Sequence, residues 1–208
     1  MSVLREVYRA TNADLDAICK TITRAFDPLE VSRWLCPDNR ERAGVLGGFF
    51  GLHVRHAVEH GTVEYLPGHL GAAVWLTEPS PPIPDYTRRL REATGRWTER
   101  FQTLDAAMDA AHPIIRPHSY LAFLAVCPTA QGQGLGSFLL HRRLAFLDAT
   151  GTPSYLEAAD PRSRALYTRH GYTDYAPHLN LPVQQSLMPM WREPRPQTQE
   201  RRNPTMTV

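Results

Sequence analysis

Apolar residues recur along this chain at two spacings, one typical of strands and the other of helices. Short apolar runs bounded by turn residues predict strands, and the clearest is YLAFLAV at 120–126, which ends before Pro128. Leu15, Ile18 and Ile22 recur instead at intervals of three and four residues. That interval predicts an amphipathic helix with one buried face.

The predicted elements alternate between the two types. Strands are predicted at 3–10, 62–66, 71–76, 120–126, 154–158, 172–175 and 185–191. Helices are predicted from a cap at Thr11 or Asn12 to Phe26, at 40–60, once or twice within 86–111, and at 134–149 and 161–170. Alternation of strands and helices predicts an α/β fold with a mixed sheet.

The domain organisation follows from chain length and from a change of composition near the end. A chain of 208 residues suits one domain. The last stretch is rich in Pro, Arg, Gln and Thr, which predicts disorder. We therefore expect a single domain at 1–192 and a disordered tail at 193–208.

Composition excludes several classes of function. The formal net charge is +2, so nothing in it indicates a nucleic-acid partner. The three cysteines are an odd number without a CxxC pair, which fits a reducing compartment. The first twenty residues lack an apolar run, and no stretch is long enough to span a bilayer. We predict a soluble cytoplasmic protein without a membrane partner.

A glycine-rich run, QGQGLG at 131–136, stands between the strongest strand and a predicted helix. Glycines let backbone N–H groups approach an anion, and a helix N-terminus adds its positive dipole end. Ser137 adds a hydroxyl donor. The glycine spacing fits neither GxGxxG nor a P-loop, since no Gly-Lys-Ser/Thr follows. The run therefore predicts a cradle for a pyrophosphate or a similar group.

Three separated segments resemble motifs of the GNAT superfamily of N-acetyltransferases. LAVCPTAQGQGLGS at 124–137 resembles motif A, DPRSRALYTRHGY at 160–172 resembles motif B, and RATNADL at 9–15 resembles the family's first strand and helix. Two positions depart from the usual pattern: Asp160 replaces an Asn and Tyr172 replaces a Phe. The resemblance implies a mostly antiparallel central sheet flanked by helices, and acetyl-CoA as co-substrate.

The resemblance also implies roles for particular residues. The pantetheine arm would pair with Leu124 and Val126, and the Val126 N–H would meet the developing oxyanion. The implied cofactor-binding set is Leu124, Ala125, Val126, Gln131, Gly132, Gln133, Gly134, Leu135, Gly136, Ser137, Asp160, Ser163 and Tyr167.

Acyl transfer to an amine further implies an acid and a base. Tyr167 holds the position of the family's tyrosine acid, with a phenol expected near its ordinary pKa of ~10. The base is not fixed by a motif. Our order of candidates is Glu157, Glu78 and His118, and Asp27 and Glu30 lie in a loop that often lines the acceptor pocket.

A finer similarity points to small-molecule acetyltransferases of the puromycin N-acetyltransferase type, and so to antibiotic resistance. It depends on Arg33-Trp34 and Pro37-Asp38 near Phe26, on AVW at 73–75, and on YLE at 155–157. The predicted substrate-binding residues are Phe26, Glu30, Trp34, Trp75 and His118. Core packing is the competing interpretation for both tryptophans.

Histidine and cysteine leave further alternatives open. On a helix, His56 and His60 would share a face at a spacing that can bind zinc, but no cysteine or carboxylate cluster joins them, so we predict no metal. Cys127 lacks an evident histidine partner and is interpreted as a packing residue.

The leading hypothesis is acetyl transfer to the primary amine of a small molecule, by direct attack in a ternary complex. Two alternatives remain: acetylation of a protein lysine or N-terminus, and a non-catalytic acyl-CoA-binding sensor on the same fold. The oligomeric state, monomer or homodimer, stays open.

Overall fold

A computed structural model of the chain describes residues 6–184 and 186–196. Within these residues there are seven strands: β1 Tyr8–Arg9, β2 Gly61–Tyr65, β3 Gly71–Glu78, β4 His118–Val126, β5 Ser154–Ala158, β6 Thr173–Asp174 and β7 Met188–Arg192. They form one sheet in the order β1-β2-β3-β4-β5-β7-β6. Neighbouring strands are antiparallel, except for the parallel pair β4 and β5.

In the described part of the chain, seven α-helices connect the strands and cover both faces of the sheet. They are α1 Leu15–Phe26, α2 Glu30–Leu35, α3 Arg42–His60, α4 Tyr86–Thr94, α5 Thr98–Ala111, α6 Leu135–Ala149 and α7 Pro161–Arg169. The α/β class and the mostly antiparallel sheet are confirmed. Among the described helices, none combines the length and the apolarity that crossing a bilayer requires.

Alternation along the strands divides the apolar side chains between two cores. Val74 and Tyr120 face the core formed with α1, α3, α4 and α5, whereas Trp75 and Leu121 face the core under α6 and α7. Successive strand residues point to opposite faces, so neighbours in sequence join different cores.

The ends of the chain differ from the predicted boundaries. Only Tyr8–Arg9 of the strand predicted at 3–10 is assigned as strand, and residues 1–5 lie outside the described residues. The last strand begins at Met188 and ends at Arg192, which is 3% exposed. Beyond it, the Arg195 N–H donates to Asp148 Oδ1 at 2.8 Å. The rest of the predicted tail, 197–208, lies outside the described residues.

Candidate active site

The sheet opens between β4 and β5. These two strands pair only at Ser119 with Ser154 and at Tyr120 with Tyr155. Further along, β4 continues beside β3 and β5 continues beside β7. Among the described residues, no strand pairs with residues 121–126 of β4 on the β5 side. The two diverging strands therefore leave a wedge-shaped gap.

The free edge of β4 presents backbone groups to this gap. The Cys127 N–H donates to the Leu70 carbonyl at 2.8 Å on the β3 side. Because alternate residues of an antiparallel strand direct their N–H groups to opposite edges, those of Val126 and Leu124 face the gap. The Gln131 Nε2 donates to the Val126 carbonyl at 3.1 Å, so that carbonyl already has a partner.

The glycine-rich run forms an open cradle at the start of α6. Gly132 and Gly134 have φ of 79° and 77°, and a Cβ at either would find no atom within 4 Å. Within the described structure, the N–H groups of residues 132–137 have no backbone acceptor. Unpaired N–H groups at a helix N-terminus form an anion site.

One cavity of about 820 Å³ runs from this cradle between the diverging strands to α3, α4 and α5. Most of the residues predicted for the site line it: Phe26, Glu78, Leu124, Val126, Gln131, Gly132, Gly134, Leu135, Gly136, Ser137, Glu157, Asp160, Ser163 and Tyr167. The six that do not are Ala125, Gln133, Glu30, Trp34, Trp75 and His118.

Two predicted substrate contacts are wrong: Trp75 lies on the other face of the sheet, and His118, on the same face as Tyr120, is covered by His112. Trp75 is fully buried in the core under α6, where the Arg143 guanidinium lies 6.0 Å from its ring centre. His118 is 2% exposed, and its Nδ1 lies 3.0 Å from the Arg116 carbonyl oxygen. Its Nε2 lies 3.1 Å from Nε2 of His112, and His112 lines the cavity in its place.

The other four displaced predictions have local causes. Ala125 is buried on the face of β4 opposite to Leu124, and Gln133 is exposed outside the cavity. Trp34 packs against the core, which was the competing interpretation. Glu30 accepts a hydrogen bond from the Gln184 N–H at 2.7 Å.

Glu157 lies within the cavity as a carboxylate with one free oxygen. The Tyr120 hydroxyl donates to its Oε2 at 2.9 Å, while Oε1 is buried without a hydrogen bond to any described residue. Burial raises the pKa of this carboxyl to about 7, against the lowering effects of the hydroxyls of Tyr120 and Tyr155. A base with a pKa near neutrality is suited to accept a proton from an amine.

Glu78 also lines the cavity, but both of its oxygens have partners. Ser80 donates to it twice, from its N–H and from its hydroxyl, each at 3.0 Å. Glu157 is therefore the freer of the two carboxylates.

Tyr167 lies where α7 meets the cavity. Its ring packs against Tyr172 at 5.8 Å, and its hydroxyl makes no hydrogen bond to any described residue. Burial raises its pKa well above the ordinary value, so the expectation of a phenol near pKa 10 is wrong. The hydroxyl stays protonated and free to donate.

Asp160 and Ser163 reach the cavity as parts of a helix cap. The Ser163 N–H donates to Asp160 Oδ1 at 2.6 Å, and the Asp160 N–H donates to the Ser163 hydroxyl at 3.1 Å. This reciprocal capping box starts α7 together with Pro161 at the first helical position. Asp160 Oδ1 and the Ser163 hydroxyl are therefore engaged in the cap.

The sequence did not single out several of the polar side chains of the cavity. Tyr86 donates to Asp105 Oδ2 at 2.8 Å, and the ring of His53 lies 5.8 Å from that of Tyr86. Tyr120 and His112 complete this set. The sequence signal for them was the helical spacing of residues within 86–111. That spacing shows which residues share a helix face, but it does not show what the face contacts. Across the described part of the chain, no group of three or more metal-binding side chains is found.

Known proteins resemble the part of the chain that contains β4, the glycine-rich run and α7. The model of the acetyltransferase (GNAT) family matches residues 97–172. Mycothiol acetyltransferase of Jonesia denitrificans is 40% identical over 70 residues, which is 31% of this chain. That match covers 22% of the relative, so this chain spans about a fifth of its length.

Solved structures with this fold cover almost the whole chain. A Corynebacterium glutamicum protein described as histone acetyltransferase HPA2 and related acetyltransferase covers 94% of this chain and 99% of its own, with TM-score 0.69 and 24% identity. Arylalkylamine N-acetyltransferase 2 from Aedes aegypti covers 91% and 99%, with TM-score 0.67 and 11% identity. At these identities the likeness concerns the fold.

Proposed function

We propose that this chain is an acetyltransferase of the GNAT superfamily that transfers acetyl from acetyl-CoA to the amine of a small molecule; the family match to residues 97–172 and the shared fold support this. The proposal is supported chiefly by one cavity that contains both halves of the required chemistry. Unpaired N–H groups at the start of α6 lie at one end, and Glu157 lies deeper between the diverging strands.

The residues of the cradle fit the proposed co-substrate. The N–H groups of residues 132–137 and the hydroxyl of Ser137 would hold its pyrophosphate. The N–H groups of Leu124 and Val126 would pair with the amides of its pantetheine arm along the free edge of β4. Acetyl-CoA would supply an acyl group activated as a thioester.

Residues of this chain would then accept one proton, donate another and stabilise one developing charge. Glu157 accepts the proton of the amine, since only a neutral amine can attack a carbonyl carbon. The Val126 N–H donates to the acyl oxygen as that oxygen gains charge. Tyr167 donates a hydrogen bond to the departing sulfur and gives up its proton only as charge develops there, because its raised pKa makes it a weaker acid than an ordinary phenol.

The walls of the cavity favour a small acceptor with an apolar part. Phe26, Phe50 and Phe123 pack edge to face, with ring centres 5.0–5.9 Å apart, and all three line the cavity. A bounded aromatic pocket suits a small molecule better than a protein segment. In this proposal the protein works in the cytoplasm and inactivates a toxic amine such as an antibiotic.

A thiol-release assay with acetyl-CoA tests this proposal. The acceptor panel comprises aminonucleosides, aminoglycosides, diamines and polyamines, arylalkylamines and peptides with free N-termini. We expect release stimulated by small amines. Stimulation by peptides alone would indicate a protein acetyltransferase, and acetyl-CoA binding without release for any amine would indicate a sensor.

A further inference from the structure

The far part of the cavity has an unbalanced charge. We call it the acceptor lobe and define it by His53, Tyr86, Asp105, Asp109 and His112, which come from α3, α4, α5 and the residue after α5. Two carboxylates belong to the lobe. Among the described residues, the arginines that line the cavity are Arg162 and Arg169 on α7, and no lysine lines it.

Asp105 is the half-buried carboxylate of this lobe, whereas Asp109 is exposed. Its Oδ2 accepts a hydrogen bond from the Tyr86 hydroxyl at 2.8 Å, and Oδ1 has no hydrogen bond to any described residue. Two other acids that are buried or half-buried, both outside this cavity, have cationic partners. Arg192 lies 2.7 Å from Asp148, and Arg142 lies 3.5 Å from Glu64. An ionised carboxylate drawn out of water without such a partner favours a cation supplied by a ligand.

The histidines of the cavity do not supply that charge. Burial lowers the pKa of His53 to about 4, and burial also lowers the pKa values of His56 and His112. Burial raises the pKa of Asp105 to about 6, so most of its population is still ionised at neutral pH. The lobe therefore keeps a negative charge at pH 7.

Helix geometry separates Asp105 from the reacting end of the cavity. Asp105 and His112 are seven residues apart, which is nearly two turns or about 10 Å along the helix direction. The His112 ring contacts the Tyr120 ring at 5.0 Å, and Tyr120 donates to Glu157. A ligand amine at Asp105 would thus lie several carbon atoms from an amine at Glu157.

We propose that Asp105, oriented by Tyr86, binds a second cationic group of the acceptor, so that the preferred substrates are diamines with an apolar spacer. This inference rests on the proposed function, because it names the acceptor class of the same cavity. The aromatic wall of Phe26, Phe50 and Phe123 contacts the spacer, and Glu157 receives the proton from the other amine.

Paired probes of equal length test Asp105. We would measure kcat/KM for acetylation of 1,7-diaminoheptane and of heptylamine, and extend both series to shorter and longer chains. In the wild type the diamine is the better substrate. In Asp105→Asn the ratio of diamine to monoamine falls about tenfold to a hundredfold, mainly through KM, as expected when a hydrogen bond to a charged group is lost. Tyr86→Phe gives a smaller fall.

Glu99→Gln is the matched control, because it removes one acidic charge from the exposed side of the same helix, away from the cavity. It should leave the ratio unchanged. A ratio unchanged in Asp105→Asn, while both amines are still acetylated, overturns the inference and leaves the proposed function standing.

A binding measurement separates this inference from the proposed function. Calorimetric titration of 1,7-diaminoheptane into the protein with CoA present needs no turnover. Weaker binding to Asp105→Asn than to Glu99→Gln supports the inference even if no amine is acetylated. Equal binding to the two variants, or none to the wild type, overturns it.

Discussion

At the scale of single residues, Glu157 is subject to two opposing effects. Burial raises its pKa to about 7, and the hydrogen bond from Tyr120 lowers it. The free Oε1 in the same cavity leaves room for a proton from a ligand. The sequence could offer Glu157 as a candidate base, but it could not show which carboxylate has a free oxygen.

Glu157→Gln should abolish most of the turnover. Losing a general base costs typically ~10²- to 10⁴-fold in rate. In the wild type, kcat/KM should rise with pH through about 7, as the carboxyl loses its proton. Steady-state rates from pH 5.5 to 9 measure both effects. A Glu157→Gln variant with wild-type rate and pH profile would remove Glu157 from the mechanism.

Tyr120→Phe tests the same carboxylate with a smaller change, because it keeps Glu157 and removes only the hydroxyl that donates to it. Without the Tyr120 hydroxyl the carboxylate loses a stabilising hydrogen bond, so the acid limb should move to higher pH.

The raised pKa of Glu157 also affects the stability of the fold, and this provides a folding control. The folded pKa of Glu157 lies above its ordinary 4.5, so the folded state binds more protons between these values. The free energy of unfolding therefore falls as pH rises from about 4.5 to 7. Glu157→Gln should be at least as stable as the wild type at pH 8 in denaturant unfolding. Loss of activity there cannot then be due to loss of the fold.

At the scale of elements, the start of α6 depends on a left-handed glycine. Gly134 has φ of 77° and precedes the first helical residue, Leu135. A non-glycine residue in this region costs ~1–2 kcal/mol. The local sequence suffices to predict this turn, because the requirement is set by one residue's backbone and by the helix that follows.

Gly134→Ala should weaken acetyl-CoA binding by about tenfold and lower the free energy of unfolding by ~1 kcal/mol. The added methyl group enters space that is now open, at the mouth of the cradle. Calorimetric titration with acetyl-CoA and denaturant unfolding measure the two effects.

Gly44→Ala is the control, since Gly44 lies in α3, is exposed and also has no atom near a new Cβ. It should stabilise the protein by up to ~1 kcal/mol and leave binding unchanged. Equal acetyl-CoA affinity in both variants would contradict a cradle at Gly134.

The strand β4 shows where prediction from sequence ends. Its apolar run predicts a buried strand, but it does not predict from which adjacent strand β4 diverges. The gap depends on β5 pairing with β7 beyond Tyr155, and β7 comes thirty residues later in the chain. Trp75 was assigned to the wrong face for the same reason: alternation fixes that Val74 and Trp75 point apart but not which of the two faces the acceptor.

At the scale of the whole molecule, the last strand is anchored by a buried ion pair. Arg192 Nη1 lies 2.7 Å from Asp148 Oδ1, and its Nε donates to the His170 carbonyl at 2.9 Å. This pair connects β7 with the ends of α6 and α7. Composition placed Arg192 next to a disordered tail, because a polar sequence does not show where its partners lie.

Arg192→Ala should lower the free energy of unfolding by ~3–5 kcal/mol, the range for breaking one side of a buried pair. The pair with Arg192 lowers the pKa of Asp148, so its contribution is present above the ordinary value of 3.8 and is lost as pH falls through the folded value. Urea unfolding at a series of pH values from 7 downward measures this. A loss that keeps the same size across the whole acid range would contradict the ion-pair account.

The acceptor lobe could not have been predicted from sequence because it joins residues from distant segments. His53, Tyr86 and Asp105 come from three helices, and only their packing makes them neighbours. The glycine-rich run, in contrast, is continuous in sequence and was found there. The cofactor half of the site was therefore more predictable than the acceptor half.

The most direct test of the account is to identify both products of one reaction. The protein would be mixed with acetyl-CoA and an amine that stimulates thiol release, and the products would be measured by mass spectrometry. We predict acetylated amine and free CoA in equal amounts, with both greatly reduced in Glu157→Gln. Free CoA without acetylated amine, or no consumption of acetyl-CoA with any amine, would contradict the assignment of this cavity to acetyl transfer.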